Sequence, residues 1–306
     1  MKVLAIFGPT AVGKTGVAIA IAEKLRERGE DPVAVNCDSI QVYRGLETIS
    51  GAATAAEQAR LEHRLLGFIE PSEEFSAGRY AELAHREIDA LLAAGRRPIV
   101  VGGTGLYLRA ALSELDLRPP VPAEIRAGVE AELAARGPEA LRSELEDDVA
   151  EGVHPADRKR IARLVELQRA GIQPAADSEQ LWAGEMRHPG VLVGLTVERA
   201  LLAARIDARV EEMAAAGAAE EACAFEAAGA SRTALAAIGL RELAAGDLEA
   251  VKAAHRRYAR RQLVWMRKMV DEASAASAAS AADARLIDRD DRDDADLAAE
   301  IVAALD

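Results

Sequence analysis

Eight residues near the amino terminus restrict the fold more than any others. "GPTAVGKT", residues 8–15, lies between the apolar run "KVLAIF" and a stretch with helical spacing from Lys14 to Arg28, where Val17, Ile21 and Leu25 recur every fourth residue. A glycine-rich turn joining a buried strand to a helix aims successive backbone N–H groups at one anion. The helix that follows adds the positive end of its dipole. Each element of G-x-x-x-x-G-K-[ST] is there for a physical reason. Gly8 and Gly13 let the backbone curl, Lys14 supplies a point charge, and the Thr15 hydroxyl can ligate Mg²⁺. The whole loop, Gly8, Pro9, Thr10, Ala11, Val12, Gly13, Lys14 and Thr15, is the candidate diphosphate site. It specifies a di- or triphosphate but no reaction.

Strand and helix signals alternate after the loop. Val33–Cys37 reads as a second strand ending at Asp38, "HRLLGFIEP" as a shorter one closed by Pro71, and "RRPIVVGGTG" as a strand that runs into a glycine turn before the helix-like "LYLRAAL". Ser76 is a candidate N-cap for a helix whose stripe is Tyr80, Leu83, Ala84, Ile88 and Leu91, interrupted by Glu87. Such alternation implies a parallel sheet covered on both faces, with ligands bound beyond the carboxyl ends of the strands. The loop at 8–15, Asp38 and Gly102–Gly105 should therefore converge. The expected class is α/β: a P-loop NTPase-like parallel sheet core flanked by helices, with an inserted all-helical lobe. The core is assigned to residues 1–112 and 191–306, where "VLVGLTV" returns to the sheet, and the lobe to 113–190, helical and charged with no convincing strand. Residues 273–284 read as a low-complexity connector, followed by an edge strand "RLID" and a final helix.

Half of the 306 residues are apolar and 29% are charged, which suits one large domain or two modest ones. No apolar run has the length of a membrane span, and "MKVLAIFG" enters a strand directly, without a cleavable leader. Cys37 and Cys223 form no metal spacing and are expected to be small apolar residues in a reducing compartment. A cytoplasmic monomer without a membrane partner is expected. The net charge of −13 argues against indiscriminate nucleic-acid binding, although part of it belongs to the acidic stretch Asp283–Asp306.

Asp38, at the end of the second strand, can orient metal-bound water, accept a proton from a nucleophile, or cap a helix. A switch GTPase would carry Asp-x-x-Gly and Asn-Lys-x-Asp, and neither is present. A hydrolysing motor would end its third strand in a carboxylate, where this chain has "PIVVGGTG".

Several segments in order, "GPTAVGKT", "DSIQVYRGL", "HRLLGFIEPSEEFSAGRY", "GRRPIVVGGTGLYLRAAL", "DRKRIARLVE", "IDARVEEM" and "RRYARRQLVWMRK", closely resemble the tRNA dimethylallyltransferases over residues 3–270. The resemblance implies that the loop grips the diphosphate of dimethylallyl diphosphate, with Mg²⁺ on Thr15, and that the acceptor is the exocyclic amine of the adenosine 3′ of the anticodon in tRNA. It implies catalytic roles for Asp38 as proton acceptor, for Lys14 against the departing diphosphate, and for Thr104 near the reacting atoms. It also implies tRNA contacts at Asp38, Ser39, Ile40, Gln41, Thr104, Arg126, Lys159, Arg160, Ile161, Ala162, Arg163 and Arg241. An extruded adenine fits such a site, and a glutamine amide can read its edge.

Over 255–270, Arg256, Arg257, Arg260, Arg261, Arg267 and Lys268 occupy one helical arc and Tyr258, Leu263, Trp265, Met266, Met269 and Val270 the other. A localised cationic face suits RNA phosphates. Two departures stand out from the family pattern: "ETISGAATAAE" lacks the lysine of a G-T-A-K-like segment, and Leu240 replaces an aromatic beside Arg241. No zinc-finger extension follows residue 270, as in bacterial-type members. Three alternatives remain open at this level: a small-molecule kinase with "RRYARR" as its lid, an RNA-holding protein without turnover, and a prenyltransferase of free adenine nucleotides.

Overall fold

The computed structural model describes residues 1–173, 186–276 and 282–305. Six parallel strands form one sheet: β1 (Val3–Phe7), β2 (Pro32–Asn36), β3 (His63–Arg64), β4 (Arg97–Gly102), β5 (Gly190–Thr196) and β6 (Ala282–Asp288), in the order β3-β2-β4-β1-β5-β6. Central β1 pairs with β4 and β5, so that Ala5 lies opposite both Val100 and Leu192. All five residues of β1 and of β2 are buried, which is why these strands read as continuous apolar runs rather than alternating ones.

Helix α1 (Lys14–Glu27) buries the four-residue stripe: Val17, Ile21 and Leu25 are each 0% exposed, worth roughly 1.5–3 kcal/mol apiece. Ser76 caps the helix Ala77–Ala93 as expected, its hydroxyl accepting from Arg79 N at 3.2 Å, and Tyr80, Ala84, Ile88 and Leu91 face inward. The expected edge strand is present as β6, paired with β5 over its full length. "HRLLGFIEP" shortens to His63–Arg64, because Leu65 (φ 58°) and Gly67 (φ 57°) turn the chain out of the extended path. Within the low-complexity segment, residues 277–281 lie outside the described residues. The expectation for the cysteines holds for Cys37, which is buried, and fails for Cys223, which is exposed on the helix Ala218–Ala227.

Two compact units result, Met1–Glu114 with Glu185–Asp306, and Leu115–Gly184. The smaller is helical among its described residues. Ala123–Arg142 breaks at Gly137 (φ 81°) ahead of Pro138, and Asp147–Glu151 and Arg158–Arg169 follow. Its core is Val129, Leu141, Leu145, Val153, Ile161 and Val165. Glu132 and Glu144 clasp Arg169 at 2.7–2.9 Å across its surface. No helix of the described residues is long and apolar enough to cross a membrane.

Candidate active site

The carboxyl ends of β1, β2 and β4 open into one cavity of about 390 Å³, a volume typical of a small-ligand site. Its wall includes Thr10, Ala11, Gly13, Lys14 and Thr15 from the loop, Asn36, Asp38, Ile40 and Gln41 from the end of β2, and Gly102 from β4. The loop, Asp38 and Gly102 converge as the sheet rule predicts, whereas Gly103, Thr104 and Gly105 do not line the cavity.

Not every loop residue faces that space. Val12 is 0% exposed and packs into the core, while Gly8 and Pro9 lie behind the wall; proline has no N–H to offer an anion in any case. The carbonyls of Gly8 and Pro9 instead hold the Lys14 ammonium at 3.1 and 3.0 Å. Gly13 adopts φ 87° as the N-cap of α1, a conformation that disfavours any side chain, and Ala11, two residues earlier, adopts φ 62°. Burial pushes the Lys14 pKa down to about 8, with Asp38 pulling it up and Arg209 pressing it down further.

Asp38 is built into a turn. Its N–H donates to Asn36 Oδ1 at 3.1 Å, and its Oδ1 accepts from Ile40 N at 2.9 Å and Gln41 N at 3.4 Å. The capping and chemical readings of this residue are thus not exclusive: one carboxylate oxygen serves the backbone while the side chain borders the cavity. Thr104 does not line the cavity. Its hydroxyl accepts from Ser39 N at 3.1 Å and donates to Ser39 Oγ at 3.3 Å, tying the "GGTG" turn to the Asp38 loop. Gln41 Nε2 is spent on the carbonyls of Ser50 and Gly51, both at 3.2 Å, so only its oxygen is left to meet a base edge. The divergent "ETISGAATAAE" stretch borders the site: Ile49, Ser50, Gly51 and Ala53 line the cavity. Glu221 fixes that segment from outside by accepting from the N–H groups of Thr48 and Ile49 at 3.0 and 2.8 Å.

The IPP transferase family model matches residues 41–269. The chain belongs to that family. It is 42% identical over 281 residues to the tRNA dimethylallyltransferase of Anaeromyxobacter dehalogenans, covering 88% of this chain and 92% of the relative. The tRNA dimethylallyltransferase of Thermobifida fusca is 38% identical, with 87% of each chain covered. The solved full-length tRNA isopentenylpyrophosphate transferase from Bacillus halodurans superposes with a TM-score of 0.69 at 29% identity, over 99% of this chain and 95% of that one. A solved eukaryotic dimethylallyltransferase acting on tRNA shares the fold, with a TM-score of 0.70 at 23% identity over 95% of this chain and 74% of its own.

Four residues of this IPP transferase that sequence reading left outside the site complete the cavity. Arg209 projects from the helix Arg199–Ala215, its guanidinium donating to Ser50 O at 3.2 Å, with burial lowering its pKa and Asp38 opposing the shift. Gly51 (φ 57°) leaves no space for a side chain beneath that guanidinium. Gln262, 4% exposed on the helix Leu248–Ala276, accepts from Thr10 N at 2.8 Å and donates to Gly103 O at 2.7 Å, bridging the phosphate loop to the "GGTG" turn. Tyr258 donates to the same carbonyl at 3.3 Å. His255 is 6% exposed and Nε2 has no hydrogen-bond partner; burial, then Arg209, brings its pKa to about 4. The signal for His255 and Gln262 was present in the sequence: with Val251, Ala259, Met266 and Met269 they complete one buried helical stripe as its polar intruders. For Arg209, one step off the stripe of Ile206, Val210 and Met213, no such signal existed.

The same helix accounts for the cationic arc. Arg257, Arg260, Arg261, Arg267 and Lys268 are exposed, whereas Arg256 is paired with Asp207 at 2.7 and 2.8 Å. Arg241, exposed on the short helix Leu240–Ala244, shares a second cavity with Arg257 and Arg261. The kinase reading is not favoured, because "RRYARR" is part of this packed helix, anchored through Tyr258 and Gln262, rather than a lid. In the smaller unit Lys159 and Arg160 are exposed, but Ile161 (0%) and Ala162 (8%) belong to its core and cannot present side chains to RNA. Arg163 is engaged with Glu166 at 3.2 Å and with the carbonyls of Arg118 and Pro119 at 3.2 and 2.7 Å. Arg126 Nε stands 4.0 Å from Glu166.

Proposed function

We infer that this chain is a tRNA dimethylallyltransferase: it moves the dimethylallyl group from dimethylallyl diphosphate to the exocyclic N6 of the adenosine next to the anticodon and releases diphosphate. The observation that carries the reading is the gathering of two desolvated cations, Lys14 and Arg209, with the amide-bearing loop and a carboxylate, Asp38, around one cavity. Burial makes each cation costly, Asp38 offsets only part of that cost, and a bound diphosphate would offset more.

In the reaction the C1–O bond of the donor breaks and an N6–C1 bond forms. The N6 proton passes to Asp38, and the electron pair of the broken bond leaves with diphosphate. The N6 lone pair is delocalised into the ring, so proton acceptance in the transition state is worth about 10²–10⁴-fold. Negative charge grows on the departing oxygens, where Lys14, Arg209 and the N–H groups at the start of α1 would stabilise it without reorganising. The turn that accepts backbone N–H bonds on Asp38 Oδ1 would orient the remaining oxygen, and Thr104 would act through Ser39 to hold that loop.

The residues suit a magnesium ion. Thr15 lines the cavity and its hydroxyl can ligate a divalent cation, with water and substrate phosphates supplying the other oxygens. Held by Thr15, it would neutralise charge on the leaving diphosphate. For tRNA, exposed Arg241, Arg257 and Arg261 supply a basic face beside the cavity, and Lys159 and Arg160 a second basic site on the smaller unit. The same reading takes the enzyme to be a cytoplasmic monomer.

The test supplies purified protein with dimethylallyl diphosphate, Mg²⁺ and unmodified tRNA, then analyses digested nucleosides by mass. Parallel tubes contain ATP without tRNA, and free adenine nucleotide in place of tRNA. A prenylated adenosine from tRNA alone is expected. Transfer of a labelled γ-phosphoryl group with no prenylated nucleoside would overturn the reading.

A further inference from the structure

Two glycines at the start of α1 have no room for a side chain, and the atoms that fill the space come from outside the phosphate-binding motif. A Cβ on Gly13 would strike the Arg289 guanidinium, and one on Gly16 would strike the Asp294 carboxylate. Arg289 Nη1 donates to Gly13 O at 3.0 Å, and its Nη2 pairs with Asp294 Oδ1 at 2.7 Å; the Arg289 side chain is only 16% exposed.

This arrangement is anchored independently of the loop. Arg289 N donates to Thr196 O at 2.9 Å, continuing the β5–β6 ladder. Asp290 accepts from Glu198 N at 2.8 Å through its side chain and from Arg205 Nη2 at 2.6 Å through its carbonyl. Asp294 opens the helix Asp294–Ala303, whose Leu297, Ala298 and Ile301 join Val17 and Ile21 of α1 in one core.

The Gly13 carbonyl already accepts the first helical bond, from Val17 N at 3.2 Å. A second donor on that oxygen fixes the plane of the Gly13–Lys14 peptide. In a trans peptide the N–H points opposite to the C=O, so holding the carbonyl back directs the Lys14 N–H forward into the cavity. Gly13, at φ 87°, is the residue of the loop for which reorientation costs least.

We propose that Arg289, buttressed by Asp294, is a positioning residue for the diphosphate site, clamping the Gly13–Lys14 peptide so that its N–H faces the donor. Both residues lie outside the 41–269 stretch that the family model matches. The proposal rests on the donor-binding reading above.

The experiment compares wild type, R289M, R289K and R289M/D294N in tRNA prenylation, measuring KM for donor and for tRNA, kcat, the inhibition constant of inorganic diphosphate, and the thermal midpoint. R289M is expected to raise donor KM and the diphosphate inhibition constant together by about 5–30-fold, the scale of one charge-assisted contact, with tRNA KM unchanged. R289K should recover part of the loss. R289M/D294N removes the carboxylate left unpaired in R289M; a clamp predicts that it stays impaired, whereas simple repulsion of the donor by Asp294 predicts recovery. Donor KM and diphosphate inhibition within twofold of wild type in R289M, or recovery in R289M/D294N, overturns the proposal, whatever the thermal midpoint does. If R289M does not fold, R289K carries the same comparison. Failure of the enzymatic reading would appear separately, as absence of product with the wild-type protein.

Discussion

Gln262→Leu isolates the contact that joins the two halves of the site. The side chain is 4% exposed and makes two bonds, from Thr10 N at 2.8 Å and to Gly103 O at 2.7 Å. Leucine fills most of the volume but serves neither partner. Gly103 O keeps Tyr258 at 3.3 Å, so its loss is partial, while Thr10 N loses its side-chain acceptor. A stranded backbone group costs about 1–3 kcal/mol, so the two together cost about 2–4 kcal/mol. Urea unfolding followed by circular dichroism should give a lower midpoint with an unchanged slope. Thr10 belongs to the phosphate loop and Gly103 adjoins Thr104, so the same change should loosen donor and acceptor geometry and lower kcat/KM by about 10–100-fold. Gln262→Glu separates the two bonds, since a carboxylate can still accept from Thr10 N but cannot donate to Gly103 O; it should fall further in kcat/KM by placing a negative charge beside the donor's diphosphate. A Q262L protein within about 0.5 kcal/mol of wild type and with unchanged kcat/KM would refute the bridging argument.

Asp38→Asn keeps an oxygen that can accept from Ile40 N and Gln41 N, so the turn and donor affinity should survive, while kcat falls about 10²–10⁴-fold; single-turnover kinetics at the wild-type rate would remove Asp38 from proton transfer. Lys14, with a folded pKa of about 8 against an ordinary 10.5, binds fewer protons folded than unfolded between those values. Stability from this group should therefore rise with pH across about 8 to 10.5, and Lys14→Met should flatten that rise in denaturation midpoints measured against pH. His255 behaves alike at lower pH: its folded pKa of about 4 lies below the ordinary 6.5, so stability should be lost as pH falls from about 6.5 to 4, by on the order of 3 kcal/mol. His255→Gln should shrink that acid sensitivity, and an unchanged acid limb would show that the ring is not the group responsible.

Local patterns placed the phosphate loop, the buried strands and the capped helix at Ser76, because each is an interaction among residues close in the chain. Periodicity also found the cationic arc on the helix Leu248–Ala276. It could not find Arg256's partner Asp207, which lies on another helix, or the contact of Gln262 with Thr10 across 252 positions. The same blindness made Ile161 and Ala162 look available to RNA: a basic segment announces its charges, but burial of its apolar members depends on what packs against them.

Phosphate affinity is legible locally, because it resides in an unbroken run from Gly8 to Thr15, and the β-α alternation forces a parallel sheet with its ligands at one end. Which side chains share that end depends on contacts between distant elements. Arg209 and Gln262 reach the cavity from helices far along the chain and Arg289 reaches the loop from just beyond β6, and their placement follows from packing, a property of all the elements at once rather than of any one segment.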